Sequence, residues 1–138
     1  MEKIWGNEYV FIAAYYSVVI LCIVVFLAVF ELVTKYKNWQ EIKNGNLSVA
    51  MATGGKIFGI SNIFHQSILH NDSLLTMIGW GVYGFALLLA GYFIFEFLTP
   101  AFKIDDEIQA DNRAVGLIAM IISIGLSYVI GAGISQAY

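Results

Sequence analysis

Apolar residues run along this chain in four long blocks, and the polar residues between them recur in the same order. Val10 to Phe30 is a run of 21 residues without a charge, Leu74 to Phe95 a run of 22, and Ala114 to Tyr138 a run of 25. Leu47 to Leu69 is a fourth block, interrupted only by Lys56. At ~1.5 Å per residue each block can cross a hydrocarbon core of ~30 Å as a helix. The pattern predicts helices over about 9–34, 47–69, 73–99 and 113–137, with connections at 35–46 and 100–112. These four spans use almost the whole chain and leave no room for a soluble domain.

The polar landmarks come in two copies. Phe30-Glu31-Leu32-Val33-Thr34 returns as Phe95-Glu96-Phe97-Leu98-Thr99, Glu41-Ile42 as Glu107-Ile108, and Gly59 as Gly125. Asn46-Leu47-Ser48-Val49-Ala50 returns as Asn112-Arg113-Ala114-Val115-Gly116, and from Glu41 onward the offset is a constant 66 residues. Such self-similarity marks a tandem repeat. The expected fold is an all-α integral membrane protein, four transmembrane helices arranged as two tandem parallel two-helix repeats over 1–69 and 70–138. Asn46 and Asn112 stand where they would cap the second helix of each unit. Pro100 stands where it would stop helix three.

Charge gives an orientation. The first connection carries Lys35, Lys37 and Lys43 with Tyr36 and Trp39 interleaved, the pattern of a short interfacial helix, and the second carries Lys103 and Arg113. His70-Asn71-Asp72-Ser73, between helices two and three, has neither Lys nor Arg. The positive-inside rule then puts both connections in the cytoplasm and both termini outside, with Trp5 and Tyr9 as an interfacial anchor. Two helices per unit make the halves parallel rather than inverted.

Composition narrows the class. Only 12% of residues are charged and 59% are hydrophobic, against about a quarter charged in soluble domains. A net charge of −3, evenly spread, gives no reason to expect nucleic acid. Cys22 is the single cysteine and excludes an intramolecular disulfide. The first block is too long for a signal-peptide core and lacks a basic start and a small-x-small cleavage site, so it reads as a retained helix.

Helix two carries the candidate chemistry. Lys56 follows Asn46 by ten residues, about 15 Å into the span, where a lipid-facing cation costs ~2.5–3.5 kcal/mol. At 100° per residue Ser48, Ala52, Gly55, Lys56, Gly59, Asn62 and Gln66 share an arc of about 120°, which predicts a polar, protein-facing seam. Glu31 and Glu96, one turn inside the connection boundary, are the expected charge partners of Lys56. The corresponding position in the second unit is Ile122, so the polar site belongs to one half. Helix four presents Ala119, Ser123, Ser127, Gly131 and Ser135 along an i+4 ridge, and with Gly55 and Gly59 these suit close helix packing, within one chain or between copies.

Other motifs lead nowhere. Gly54-Gly55-Lys56 lacks the earlier glycine, the following Ser or Thr and the preceding strand of a phosphate loop. His65 and His70 are five apart and point different ways on an unbroken helix, so with Asp72 they could bind a metal only if the helix ended between them. Asp105, Asp106, Glu107 and Asp111 match no calcium loop and read as a solvated face. No nucleophile motif is present, and the expectation is no enzyme activity, no cofactor and no metal.

With the repeats laid out, the chain resembles a bacterial inner-membrane family of unknown function, the one that includes YjfL and is known as domain of unknown function three-fifty. Glu96-Phe97-Leu98-Thr99-Pro100, Ile104-Asp105-Asp106-Glu107-Ile108 and Asp111-Asn112-Arg113-Ala114-Val115-Gly116 carry the resemblance. The first copy departs from it, with Lys35 in place of the proline and no acidic pair before Glu41. The resemblance implies two tandem two-helix units in a bacterial inner membrane and supplies no catalytic residues. The expected function is ion or small-solute permeation by a homo-oligomer in the lipid bilayer. The alternative is a platform that recruits a cytoplasmic protein partner in envelope stress.

Overall fold

The computed structural model describes residues 6–70, 73–99, 101 and 103–137. Among the described residues six helices follow in order: α1 Glu8–Val33, α2 Asn38–Lys43, α3 Leu47–Leu69, α4 Leu74–Leu98, α5 Ile104–Gln109 and α6 Arg113–Gln136. No strand occurs among the described residues. α1, α3, α4 and α6 are each long and apolar enough to cross a membrane, with bounds a residue or so from those expected. Trp5, Asp72 and Pro100 lie outside the described residues.

The helix starts are built by side chains that satisfy otherwise unpaired N–H groups. Asn7 accepts from the Tyr9 N–H at 2.9 Å, Asn46 from Val49 at 3.0 Å, and Ser73 from Thr76 at 3.2 Å. Asn112 accepts from Val115 at a long 3.5 Å. Each short helix ends in one left-handed residue, Gly45 at φ 85° and Asp111 at φ 61°, 66 positions apart. Gly45 has no Cβ to clash there, and aspartate is one of the few side chains that tolerates the conformation. The chain then turns back alike at both places. The Asn46 N–H donates to the Glu41 carbonyl at 3.0 Å and the Asn112 N–H to that of Glu107 at 2.9 Å.

The tightest packing joins α3 to α6, which run parallel. Ser48 meets Gly116 at the connection end, Gly55 meets Met120, Gly59 meets Ser123 and Ser127, and Gln66 meets Gly131 toward the other end. A Cβ on Gly55 would lie 2.7 Å from the Met120 Cα, and one on Gly116 2.7 Å from the Ser48 Cα. Glycine is required at both places because backbone, which cannot give way, is the neighbour. In lipid, where apolar burial does not drive helices together, such close backbone approach supplies the attraction.

α1 and α4 cover the other side of α3 with aromatic rings. Phe26 stacks on Phe85 at 4.5 Å between centroids, and Phe30 meets Phe85 edge-on at 5.3 Å, both favoured arrangements. Phe26, Phe30, Ile60, Phe64, Phe85 and Leu88 belong to one buried cluster. The outer side of α1, with Ile12, Tyr16, Leu21 and Val24, is exposed and apolar, as a lipid-facing surface is.

Candidate functional site: a buried ammonium under a two-part cap

At one end of the bundle the two connections fold together over the helix ends. Tyr36, Val49, Ala52, Ile104 and Ile108 form a second buried cluster there. Asn46, besides capping α3, donates through Nδ2 to the carbonyls of Ile108 at 3.2 Å and Gln109 at 2.9 Å. The Ser48 N–H donates to Asp111 Oδ1 at 2.9 Å, and the Lys35 N–H to Asp105 Oδ2 at 3.3 Å. Lys35 also pairs with Asp106 across the surface at 3.4 Å. The two connections are thereby one cap rather than two independent loops.

Beneath the cap lies Lys56, 3% exposed. Its Nζ sits 4.4 Å from the centroid of the Phe30 ring, 5.6 Å from Tyr92 and 5.7 Å from Tyr36. All three lie within the ~6 Å over which a ring face attracts a cation, an effect of ~0.5–2 kcal/mol that grows as water is excluded. The cage therefore offsets a cost of the same order as the ~2.5–3.5 kcal/mol for a cation at mid-span. Position 56 is nine residues into α3, about 13 Å, whereas Phe30 is three residues from the end of α1, about 4.5 Å. The side chain thus reaches back toward the cap through protein rather than through lipid.

Lys56 forms no ion pair with Glu31 or Glu96 among the described residues, contrary to the sequence expectation. Glu31 is committed elsewhere. Its Oε1 accepts the Asn38 N–H at 2.8 Å, at the first turn of α2, where a carboxylate also suits the helix dipole. The carboxylate whose charge acts on Lys56 is that of Asp105, 3% exposed. Burial raises the Asp105 pKa above the usual carboxylate value, while the Lys35 N–H and the charges of Lys56 and Lys35 act against that rise. Tyr36 is pushed up as well, first by burial and then by the negative charges of Asp105 and Glu96. Lys56 Nζ, Tyr36 Oη, Tyr92 Oη and Asp105 Oδ1 are all buried with no hydrogen bond to a described residue.

The remaining residues of the expected seam fall into two other places. Asn62 donates to Ser127 at 3.1 Å, and Ser135 donates to Gln66 at 3.2 Å, both across the α3–α6 contact. His70 joins that line at 3.3 Å from Ser135, while His65 is exposed, so the two histidines do not converge. Ser48 is at the start of α3, its hydroxyl buried without a described partner. Gly55, Gly59, Ser123, Ser127 and Gly131 line the α3–α6 contact, and Ala119 packs against the cap cluster. The polar face of α3 is therefore filled by α6 along most of its length.

Tyr36, Tyr92 and Asp105 are site residues that the sequence pattern does not single out. A solvated acidic face describes exposed Asp106 but fails for Asp105. The available signal is the order Ile104-Asp105-Asp106-Glu107-Ile108. Two buried isoleucines four apart mark an inward face, and Asp105 follows the first of them. An apolar cavity of about 400 Å³ lies elsewhere, between α4 and α6 beside Trp80, Tyr83, Val129 and Gly133.

A family model described as Domain of Unknown Function (DUF350) matches residues 4–134. The UPF0719 transmembrane protein YshE of Bacillus subtilis (strain 168) is 69% identical over 134 residues, 97% of this chain and 100% of that protein. The UPF0719 inner membrane protein YjfL of Escherichia coli (strain K12) is 23% identical over 105 residues, 76% of this chain and 78% of that one. No solved structure matches the chain. The chain belongs to the DUF350 family, as its sequence resemblance implied, and is a membrane protein.

Proposed function

We propose that this member of the family is a non-enzymatic, multi-pass protein of the bacterial inner membrane that assembles with copies of itself and moves an ion or small solute. The observation that carries this reading is the ammonium of Lys56, kept 3% exposed within a bilayer-spanning helix where isoleucine stands 66 positions later. Ionisable groups held inside a membrane bundle characteristically mark ion pathways. The bonded line Asn62–Ser127, Gln66–Ser135 and His70 extends polar groups from mid-span toward the end away from the cap. Because α6 fills this face, a wider path would form between copies. A Cβ added at Gly79, Gly125 or Gly133 would meet nothing within 4 Å, which leaves room there for a neighbouring helix.

The two units, 1–69 and 70–138, are read as parallel repeats with both termini outside. In support, helix starts at 8 and 74, 38 and 104, and 47 and 113, and left-handed residues at 45 and 111, are all 66 apart. Ion flux into proteoliposomes tests the function. Wild-type protein should pass an ion that Lys56→Met does not, and a reconstituted oligomer silent under every gradient would remove the reading.

The competing reading, a platform for a cytoplasmic partner in envelope stress, is favoured by the cap being a single folded surface that exposes Lys37, Trp39, Lys43 and Asp106. Partner capture that disappears when Asp106 and Glu107 are neutralised, in protein that carries no flux, would put it ahead.

A further inference from the structure

The packing around Lys56 under the cap limits what charged species this site can exchange. Three aromatic rings present themselves to the Lys56 ammonium, and Asp105 adds a carboxylate. Ring faces and a carboxylate repel an incoming anion. The ammonium repels an incoming metal cation, while Lys56 Nζ, Tyr36 Oη, Tyr92 Oη and Asp105 Oδ1 are packed in protein with no hydrogen bond to a described residue. The charge that can be taken up without displacing any of them is a proton.

We propose that Lys56 and Asp105 form a proton-exchanging couple beside the rings of Tyr36 and Tyr92, and that Asp105 is the group whose protonation changes. One H⁺ arriving from the cap side forms an O–H bond on Asp105 and converts its carboxylate to a carboxylic acid. Lys56 keeps its proton, and release of H⁺ from the same oxygen restores the starting state. Each tyrosine hydroxyl can donate one hydrogen bond while accepting another, which suits it to pass a proton without changing its own charge.

The groups facing this site come from every element around it: Lys56 from α3; Phe30 and, one residue on, Glu31 from α1; Lys35 and Tyr36 from the first connection; Tyr92 and Glu96 from α4; and Asp105 and Asp106 from α5. Glu31 is held by the Asn38 N–H, and Lys35 gives its N–H to Asp105 and its ammonium to Asp106. Asp105 is thus the acid that is buried, coupled to Lys56 and bonded to the cap at once. Burial already raises its pKa, so the exchange is displaced toward neutral pH rather than confined to strong acid. Protonation also weakens the acceptor that holds the Lys35 N–H, so proton uptake loosens the bond between the first connection and α5. Naming H⁺ as the ion moved rests on the permeation reading above, whereas the couple itself does not.

Infrared difference spectra of the full chain in liposomes, recorded between paired pH values, test the couple. Wild type should show a carboxylic acid band growing on acidification that D105N lacks. Lys56→Met, which removes the favourable charge, should move its midpoint up, and Lys56→Arg should leave it near wild type. A wild-type spectrum identical to that of D105N, or a midpoint unmoved in Lys56→Met, overturns the couple. Should Lys56→Met fail to assemble, the wild-type and D105N spectra decide alone. Proton flux measured in the same liposomes separates the two claims. A titrating band without flux removes permeation and keeps the couple, and flux without the band does the reverse.

Discussion

The two halves of the molecule share a backbone plan and differ in where they put charge. Lys56 and Ile122 occupy the same place in α3 and α6, and Trp39 and Asp105 the same place in α2 and α5. Yet the tryptophan is 58% exposed and the aspartate 3% exposed, the reverse of what their side chains prefer in water. The ammonium comes from the first half and its coupled carboxylate from the second. A polar site assembled in this way draws on both halves of the chain. The similarity therefore serves to bring two unlike positions together, and the sharpest tests are those that treat corresponding residues differently.

The largest effect should come from breaking the charge couple. Asp105→Ala leaves the buried Lys56 ammonium without the carboxylate whose charge favours it. Because no ion pair joins the two among the described residues, the cost should reach about 3 kcal/mol at most, the low end for a broken buried pair. The combined Lys56→Ile, Asp105→Ala chain, which copies position 122, should recover most of that loss in reversible unfolding from mixed micelles. A double variant as unstable as the single one would mean that packing, not charge, sets the cost. The sign with pH also follows. Folding raises the Asp105 pKa above its ordinary 3.8, so the folded state binds the proton more tightly than the unfolded. Stability from this group is therefore fullest below pH 3.8 and falls as pH rises through the raised value. D105N should flatten that slope.

Next comes the pair Gly59 and Gly125, again 66 apart. A Cβ on Gly59 would stand 3.1 Å from the Ser123 carbonyl oxygen, whereas one on Gly125 meets nothing within 4 Å. Gly59→Val should cost about 1–3 kcal/mol by overpacking, while Gly125→Ala should be neutral or gain up to about 1 kcal/mol of helix propensity in the monomer. If Gly125→Ala instead shifts the oligomeric state, that surface carries a contact between copies.

The caps give a smaller contrast. Asn46 and Asn112 both cap a helix, but only Asn46, buried, also donates to the carbonyls of Ile108 and Gln109. Asn46→Ala should cost about 1 kcal/mol more than Asn112→Ala, the worth of one ordinary hydrogen bond beyond the cap itself. Hydrogen exchange at α5 should rise in the first variant and stay unchanged in the second.

The helices were legible because lipid crossing demands long uncharged runs, and the caps because Asn before such a run has a local mechanism. The inward side of α3 was legible for a related reason, since a lysine inside a span needs shelter and its neighbours at helical spacing shared that shelter. The counter-charge was not legible. Glu31 and Glu96 lay at the right depth, but depth says nothing about which oxygen a nearby N–H has already claimed, and Asn38 claims that of Glu31. Asp105 was hidden because acids in a short polar connection are usually solvated. Only the folding of the two connections together, with the Lys35 N–H bonded to Asp105, turns one of them inward. The aromatic cage shared that fate, for Phe30, Tyr36 and Tyr92 meet only when three segments converge.

The smallest effect belongs to Lys35, and it sharpens the distinction between cap surface and cap interior. Its ammonium pairs with Asp106 at 3.4 Å, but both side chains are 52% exposed, so the pair is worth about 0–1 kcal/mol and less in salt. Its backbone N–H, bonded to buried Asp105, is not altered by changing the side chain. Lys35→Met should therefore lower stability by no more than about 1 kcal/mol, with the deficit vanishing at high ionic strength. Lys35→Pro removes the N–H itself and takes a hydrogen bond from a partly buried carboxylate, worth about 1.5–3 kcal/mol and insensitive to salt. Equal losses in the two variants would mean that the surface ion pair, rather than the Asp105 bond, holds the two connections together.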